Sequence, residues 1–469
     1  MTVDFKAEID KRRNEMMEDL FNLLAINSER DDTKVDKDHP FGPGPVEALE
    51  HFLAMAERDG YQTRNIDNYA GDFEFGQGDE TLGIFAHLDV VPAGTGWNTD
   101  PYQPVIKDGK LYARGSSDDK GPTLAAYYAL KIIKDLGLPI SKKVRFVLGT
   151  DEESGWGDMA YYFAHPDVQK PDFGFAPDAE FPIINGEKGN ITEYLHFAGD
   201  NQGDVVLHHF TGGLRENMVP ESATAIISGQ ISLEELQDKL SVFLAAHPQI
   251  SGSVMTKDHR FTVQIIGKAA HGSTPEEGLN GATYLALFLN QFTLAGPAQA
   301  FVQLTADILH DDFAGHKLGV AHEDTKMGSL SVNAGVFNFE ESSSDNTIAL
   351  NFRYPQGTDS ASIKAGLEKL SGVEKVTISE HEHTPHYVPI DDPLVATLLS
   401  VYEKQTGLKG YEQIIGGGTF GRLLERGVAF GAMFPDYENT MHQANEFVDV
   451  EELYRAAAIY AEAIYELIK

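Results

Sequence analysis

The sequence predicts an α/β chain of two domains, a mixed-sheet α/β domain interrupted by an inserted α+β domain. Three observations predict it. In the first part of the chain, short apolar segments repeatedly end in clusters of Gly, Asp, Glu and His. At Glu187 to Asn190 the character changes, and residues from about 188 to 385 alternate strand patterns with amphipathic helices. From about 386 the chain returns to the pattern of its first part. The expected domains are therefore 1–187 with 386–469, and 188–385.

A chain of 469 residues can hold two or three domains and bury a sizeable core. The composition is globular, 42% hydrophobic and 23% charged, with no apolar run long enough to span a membrane. The opening stretch Met1 to Asp10 has neither the basic nor the apolar region of a signal peptide, so the expected location is the cytoplasm. There is no cysteine, which excludes disulfides, thiolate metal sites and cysteine nucleophiles. Any metal has to be held by His and carboxylates. The net charge of −35 argues against nucleic acid or an anionic membrane as partner. It also means that an anionic substrate needs a local basic clamp.

In chain order, residues 4 to 26 read as an amphipathic helix, with Ile9, Met16, Met17, Leu20, Leu23 and Leu24 at helical spacing. A polar turn region and a second helix, Pro45 to Asp59, follow. The apolar strand beginning at Gly83 delivers His87 and Asp89 on one side, because strand side chains alternate. A metal-bound imidazole gives its other N–H to an acceptor that fixes the tautomer, a part that suits Asp89. Leu111 to Gly121 is a Gly/Ser/Asp turn leading into a helix, Pro122 to Leu136. Ser and Asp cap helices, but the adjacent Asp118 and Asp119 exceed what capping needs, and a carboxylate held there suits bridging two cations.

The strand Val144 to Leu148 runs through a Gly149-Thr150 turn into Asp151, Glu152 and Glu153. Acids after a strand emerge at the carboxyl edge of the sheet, where open α/β folds place ligands. Three adjacent anions are costly to fold together unless a cation is present. Two adjacent Glu suit metal-assisted hydrolysis, one ligating while the other takes a proton from the attacking water. The pattern alone does not say which does which. Asp178 ends another short apolar segment, Phe175-Ala176-Pro177.

Within the insertion, strands are expected at Ala223 to Ser228, Phe261 to Ile266, Leu330 to Phe337 and Thr347 to Tyr354. Three helices accompany them. One opens with the capping box Ser232-Leu233-Glu234-Glu235, and the others run from Leu279 to Phe292 and from Ser360 to Leu370. This order of elements suggests two related halves. His271 lies on a Gly-flanked turn, Asn217 in Gly212-Gly213-Leu214-Arg215-Glu216-Asn217, and Arg353 on a strand. After a helix at 392–405, the loop Ile415-Gly416-Gly417-Gly418-Thr419 lets backbone approach a ligand closely. It lacks the Gly-Lys-Ser/Thr ending of a phosphate loop. His442 follows in Met441-His442-Gln443-Ala444-Asn445-Glu446, ahead of a terminal helix, Val450 to Ile468.

These motifs, taken in order from Ala86-His87-Leu88-Asp89 to His442-Gln443-Ala444-Asn445-Glu446, resemble those of the aminoacylase/carnosinase/carboxypeptidase-G metallopeptidase family, and especially its PepV-type dipeptidases. The resemblance covers nearly the whole chain. It implies two divalent metal ions about 3.5 Å apart, His87 and Asp178 on one, Glu153 and His442 on the other, and Asp119 bridging. Glu152 is then the general base and acid, and Asp89 the orienter of His87. Carboxylates with two imidazoles suit zinc, and also manganese or cobalt.

The resemblance also makes the insertion a lid. Residues 188–385 are long enough for a doubled unit, which implies a monomer that completes its own site. His271 would stabilise the oxyanion, while Asn217, Arg353, Gly416, Gly417, Gly418 and Thr419 would hold the substrate's terminal carboxylate. The implied reaction is broad-specificity hydrolysis of small dipeptides with a free N-terminus, with β-alanyl dipeptides among the candidate substrates. The alternatives are an N-acyl-amino-acid deacylase or desuccinylase with the same metal centre, and a silent binding protein that keeps the fold.

Overall fold

The structure, a computed structural model, describes residues 3–197, 204–294 and 296–469. It divides into two compact units, 1–186 with 387–469, and 187–386.

The first unit begins with a helix, Phe5–Asp10, that breaks at Lys11 and Arg12 before α1 (Arg13–Leu24), where one continuous helix was expected. Next come α2 (Pro43–Arg58), β1 (Gln62–Ile66), β2 (Ala70–Phe75) and β3 (Thr81–His87). They are followed by α3 (Lys120–Asp135), β4 (Lys143–Gly149), α4 (Gly157–Ala164) and β5 (Phe173–Ala176).

In the second unit the chain forms β6 (Gly189–Phe197), β7 (Val205–Gly212), β8 (Ser222–Gly229), α5 (Leu233–Ala246), β9 (Ser251–Lys257) and β10 (Arg260–Ile266). It continues through α6 (Gly281–Leu289), α7 (Pro297–Leu304), β11 (Ser331–Glu340), β12 (Asn346–Tyr354), α8 (Ser360–Leu367) and β13 (Lys375–Ile378). The first unit is completed by α9 (Pro393–Thr406), β14 (Gly427–Ala429) and α10 (Val450–Ile468).

The sheet of the first unit has the order β1-β2-β4-β3-β5-β14. Strands β4, β3, β5 and the edge strand β14 pair in parallel, while β1 pairs with β2 and β2 with β4 antiparallel. The parallel strands are covered on both faces, which is why they read as continuous apolar runs. Leu82, Ile84 and Ala86 of β3 and Val144, Phe146 and Leu148 of β4 join the core built with the helices α1, α2, α3 and α10. The alternate residues Phe85 and Val147 pack with Met159 and Tyr162 of α4 and with Phe420 and Leu424. The register pairs His87 with Gly149 and Ile84 with Phe175, so three chemistry-bearing loops leave one edge of the sheet side by side.

The second unit is built on one antiparallel sheet of eight strands among the described residues, in the order β9-β10-β8-β7-β11-β12-β6-β13. Its two halves repeat one spatial order about the β7–β11 pair. β11, β12 and β13 match β7, β8 and β9, and the first strand of the unit, β6, takes the slot that β10 fills in the other half. Helix α5 packs on β9 as α8 packs on β13. Four helices of at least eight residues lie here among the described residues where three were expected, because α7 opens on Gly296-Pro297, a pair that reads as a turn. Among the described residues no helix is long and apolar enough to cross a membrane.

Candidate metal centre

The carboxyl edge of the parallel strands gathers His87, Asp118, Glu152, Glu153 and Asp178. His87 is the last residue of β3, Glu152 and Glu153 follow β4, and Asp178 follows β5. His442 comes from the loop before α10, with φ at 62°. His87, Asp118 and Glu153 offer ligand atoms within 4.8 Å of one another, and so do His87, Glu152 and Asp178.

The structure corrects the expectation for Asp119. The carboxylate between the two imidazoles belongs to Asp118: its Oδ1 lies 3.1 Å from His87 Nε2, and its Oδ2 lies 2.9 Å from His442 Nε2. Asp119, joined to it by a cis peptide bond, is turned back toward the strand end and the helix start. Its Oδ2 accepts the His87 N–H at 3.2 Å and the Thr123 hydroxyl at 2.9 Å. Around Asp118 the other acids pair off by histidine. Asp178 Oδ2 is 3.7 Å from His87 Nε2, and Glu153 Oε2 is 3.1 Å from His442 Nε2.

Asp89 holds this edge in two ways. Its backbone carbonyl is 3.0 Å from His87 Nδ1, closer than its own carboxylate at 3.4 Å, and so fixes the tautomer that turns Nε2 toward the acids. Its two carboxylate oxygens accept the N–H groups of Glu152 and Glu153. Asp158 accepts the N–H groups of Thr150 and Asp151 through one oxygen, Oδ2, at 2.7 and 3.0 Å. Gly149 makes room for it, since a Cβ there would lie 2.5 Å from Asp158 Oδ2. The first acid of the triplet, Asp151, is buried and neutralised by Arg30 at 2.5 Å. Sequence reasoning missed Asp158 and Arg30, because an Asp in the first turn of a helix reads as an ordinary terminal charge and an Arg in a loop carries no spacing signal.

The electrostatics call for cations. Burial pushes Glu152 well above the ordinary carboxylate range, and the charges of Asp178 and Glu153 push it further. Glu153 is raised to about 7 by burial and by Asp118. Asp178 is raised by burial and then by Asp118. Hydrogen bonds to Asp118 and Glu153 draw the His442 imidazole up to about 11. Glu153 Oε1 is buried without a hydrogen-bond partner. Four acids, Asp118 buried and the others half-buried, face two imidazoles, one acid with an orphaned oxygen, and they fit a pair of divalent cations, whose charge removes the repulsion. Asp118 is the residue placed to touch both.

In the second unit, the Asn217 and His271 loops are joined to each other. Asn217 O accepts the Gly272 N–H at 2.7 Å, and Met218 bridges to His271. Asn333 fastens the Asn217 loop, donating to Glu216 O at 2.7 Å and Met218 O at 2.9 Å. His271 Nδ1 is 2.7 Å from Ser273 Oγ. Arg353, buried on β12, donates through Nε to Asn351 Oδ1 at 3.1 Å. The loop Gly416 to Thr419 belongs to the first unit, where the Thr419 hydroxyl accepts the Gly421 N–H at 3.0 Å.

This fold and this cluster define a dinuclear metallohydrolase with an inserted α/β domain. The chain belongs to the peptidase family M20/M25/M40, whose description matches residues 83–466. It is 46% identical over 472 residues to the Beta-Ala-Xaa dipeptidase of Lactobacillus delbrueckii subsp. lactis, covering 100% of this chain and 99% of that protein. It is 40% identical over 470 residues to the putative dipeptidase YtjP of Bacillus subtilis (strain 168), with full coverage of both, 100% and 100%. The fold is shared with human carnosine dipeptidase 1, at a TM-score of 0.56 and 16% identity over 99% of this chain and 98% of that one.

Proposed function

We propose that this protein is a broad-specificity dipeptidase that hydrolyses dipeptides with a free N-terminus, β-alanyl dipeptides included, as a cytoplasmic monomer. The observation that carries the reading is the pairing of the two imidazoles across one carboxylate, Asp118, with Glu152 beside them. The full-length similarity to a Beta-Ala-Xaa dipeptidase supports the substrate class. The repeated halves of the inserted sheet support the monomer.

His87 and Asp178 would hold one cation, His442 and Glu153 the other, and Asp118 would serve both. Zinc, manganese and cobalt all suit this mixture of imidazole and carboxylate. When bound, the cations supply positive charge that polarises a peptide carbonyl and acidifies water. Glu152 is the general base. Its burial raises its proton affinity, so it can accept a proton from the attacking water and return it to the leaving amine. Asp89 keeps Glu152 and Glu153 in register through their N–H groups. His271, its ring braced by Ser273, supports the oxyanion. The resemblance to the family supports carboxylate-binding roles for Arg353, braced by Asn351, for Asn217 and for the Gly416, Gly417, Gly418 and Thr419 loop, Arg353 supplying the cation that an anionic chain needs.

The test is product release by metal-stripped protein with zinc, manganese or cobalt restored, using a free dipeptide, its N-acetyl counterpart and the matching tripeptide. Cleavage of the free dipeptide alone is expected. Cleavage of the acetylated compound alone would move the function to deacylation, and no cleavage with any metal would leave a binding protein.

A further inference from the structure

Glu446 lies on the loop that carries His442, yet it bonds to the turn that carries Asp118. Its side chain is fully buried. The carboxylate accepts Arg114 Nη1 at 2.6 Å, Gly115 N at 3.2 Å, Ser117 N at 2.8 Å and Asp118 N at 3.1 Å. Its own backbone carbonyl accepts the Ala113 N–H at 3.2 Å. Every one of these donors belongs to the short segment that ends in the carboxylate between the two imidazoles.

The rest of the loop is fastened independently. Asn445 accepts the Asn98 N–H at 2.7 Å, and Phe447 N–H donates to the Thr440 hydroxyl at 3.1 Å. Phe447 and Val448 pair with Tyr112 and Leu111 as strands. Those bonds keep the two segments together, but they do not set where Asp118 points. A buried ion pair adds little to stability when its desolvation is counted, so the Glu446–Arg114 pair is poorly explained as a fastening for the fold. Its value lies in direction. The outer partners of metal ligands fix the angle and reach of the ligands themselves.

We propose that Glu446, with Arg114, is a positioning residue that couples the Asp118 and His442 ligands, brought from distant parts of the chain, into one cation-binding unit. The inference rests on the dinuclear reading of the site.

The experiment is stepwise titration of the metal-stripped, full-length chain with manganese, followed calorimetrically. The wild type, Glu446→Ala, Glu446→Gln and Glu462→Gln are compared, with thermal unfolding of each metal-free protein. Glu462 is a buried acid of α10 that bonds to Lys404 and Gln405 and serves as the control for a lost internal charge. Glu446→Ala is expected to weaken manganese affinity by about 10–100-fold while the metal-free protein stays folded. At saturating manganese its kcat falls more than its KM changes. Glu446→Gln, which keeps one acceptor oxygen for Ser117 and Asp118, is expected to recover part of the affinity. Glu462→Gln lowers only the unfolding temperature. If Glu446→Ala does not fold, Glu446→Gln decides by the same criterion. A Glu446 variant that binds two ions as tightly as the wild type, with a lower unfolding temperature alone, overturns the inference. A wild type that takes up fewer than two ions overturns the dinuclear reading and the inference with it.

Discussion

The carboxylate of Asp89 accepts the backbone N–H of Glu152 at 3.1 Å through Oδ1, and through Oδ2 it takes the neighbouring Glu153 N–H at 3.0 Å. One buried acid thus sets the position of the proposed base and of a proposed ligand at once. An Asn in its place has a single acceptor oxygen, and its NH₂ group would face an N–H. A buried donor left unmatched costs about 1–3 kcal/mol. Asp89→Asn is therefore expected to stay folded and to lose about 10–100-fold in metal affinity, measured by titration of the metal-free protein. Unchanged affinity would show that the acidic turn holds itself.

Asp118 and Asp119 give the sharpest comparison, because the two substitutions are chemically identical and adjacent. Asp118→Asn removes the charge between His87 and His442, and its affinity for at least one ion should fall by more than about 100-fold, beyond the range for outer partners. Asp119→Asn should keep two ions. Its Oδ2 bonds run to His87 N–H and Thr123, and an amide oxygen can accept both. Stoichiometry from metal analysis after dialysis separates the two, and the reverse ranking would restore Asp119 to the bridging place.

Glu152→Gln should retain both ions and lose about 10²–10⁴-fold in kcat, the span of general acid–base catalysis. His271→Ala should retain both ions and lose about 10²–10³-fold, as for an oxyanion donor. Steady-state rates on a free dipeptide, with metal content determined on the same samples, check both. Appreciable turnover by the Glu152 variant would assign the base elsewhere.

The parts of this fold that were legible in the sequence are those where one force dominates. Strands β3, β4 and β5 are buried on both faces, so each reads as an apolar run, and the acids and His87 at their ends stand out by contrast. β9 was illegible for the opposite reason: Ser251 to Lys257 is mostly exposed and holds few apolar residues. In β7, His208 and His209 interrupt the apolar pattern, and a register shift between Leu207 and His209 breaks the alternation itself. At the site, residue chemistry located the acidic turn but could not rank Asp118 against Asp119. Which of two neighbouring Asp faces the imidazoles depends on Thr123 and the His87 N–H, contacts made across the fold.

Glu193 yields a prediction away from the metals. It lies on β6, opposite Leu350 of β12 and Ile378 of β13, and both its carboxylate oxygens are buried without a hydrogen-bond partner. Burial raises it to about 8 from an ordinary 4.5, with Lys364 pulling it down and Glu382 and Glu368 adding to the rise. Below the ordinary value both the folded and unfolded chains hold the proton, and Glu193 costs nothing. As pH rises toward 8 the unfolded chain ionises while the folded one must keep its proton, so stability is lost across that window and the loss is complete above it. Glu193→Gln cannot ionise. Its unfolding temperature should match the wild type near pH 3.5, below the ordinary value, and exceed it by at least about 3 °C at pH 8.5, equivalent to about 1 kcal/mol in a domain of this size. Thermal unfolding at several pH values tests this, and a difference that does not change with pH would mean that Glu193 is not held protonated in the folded sheet.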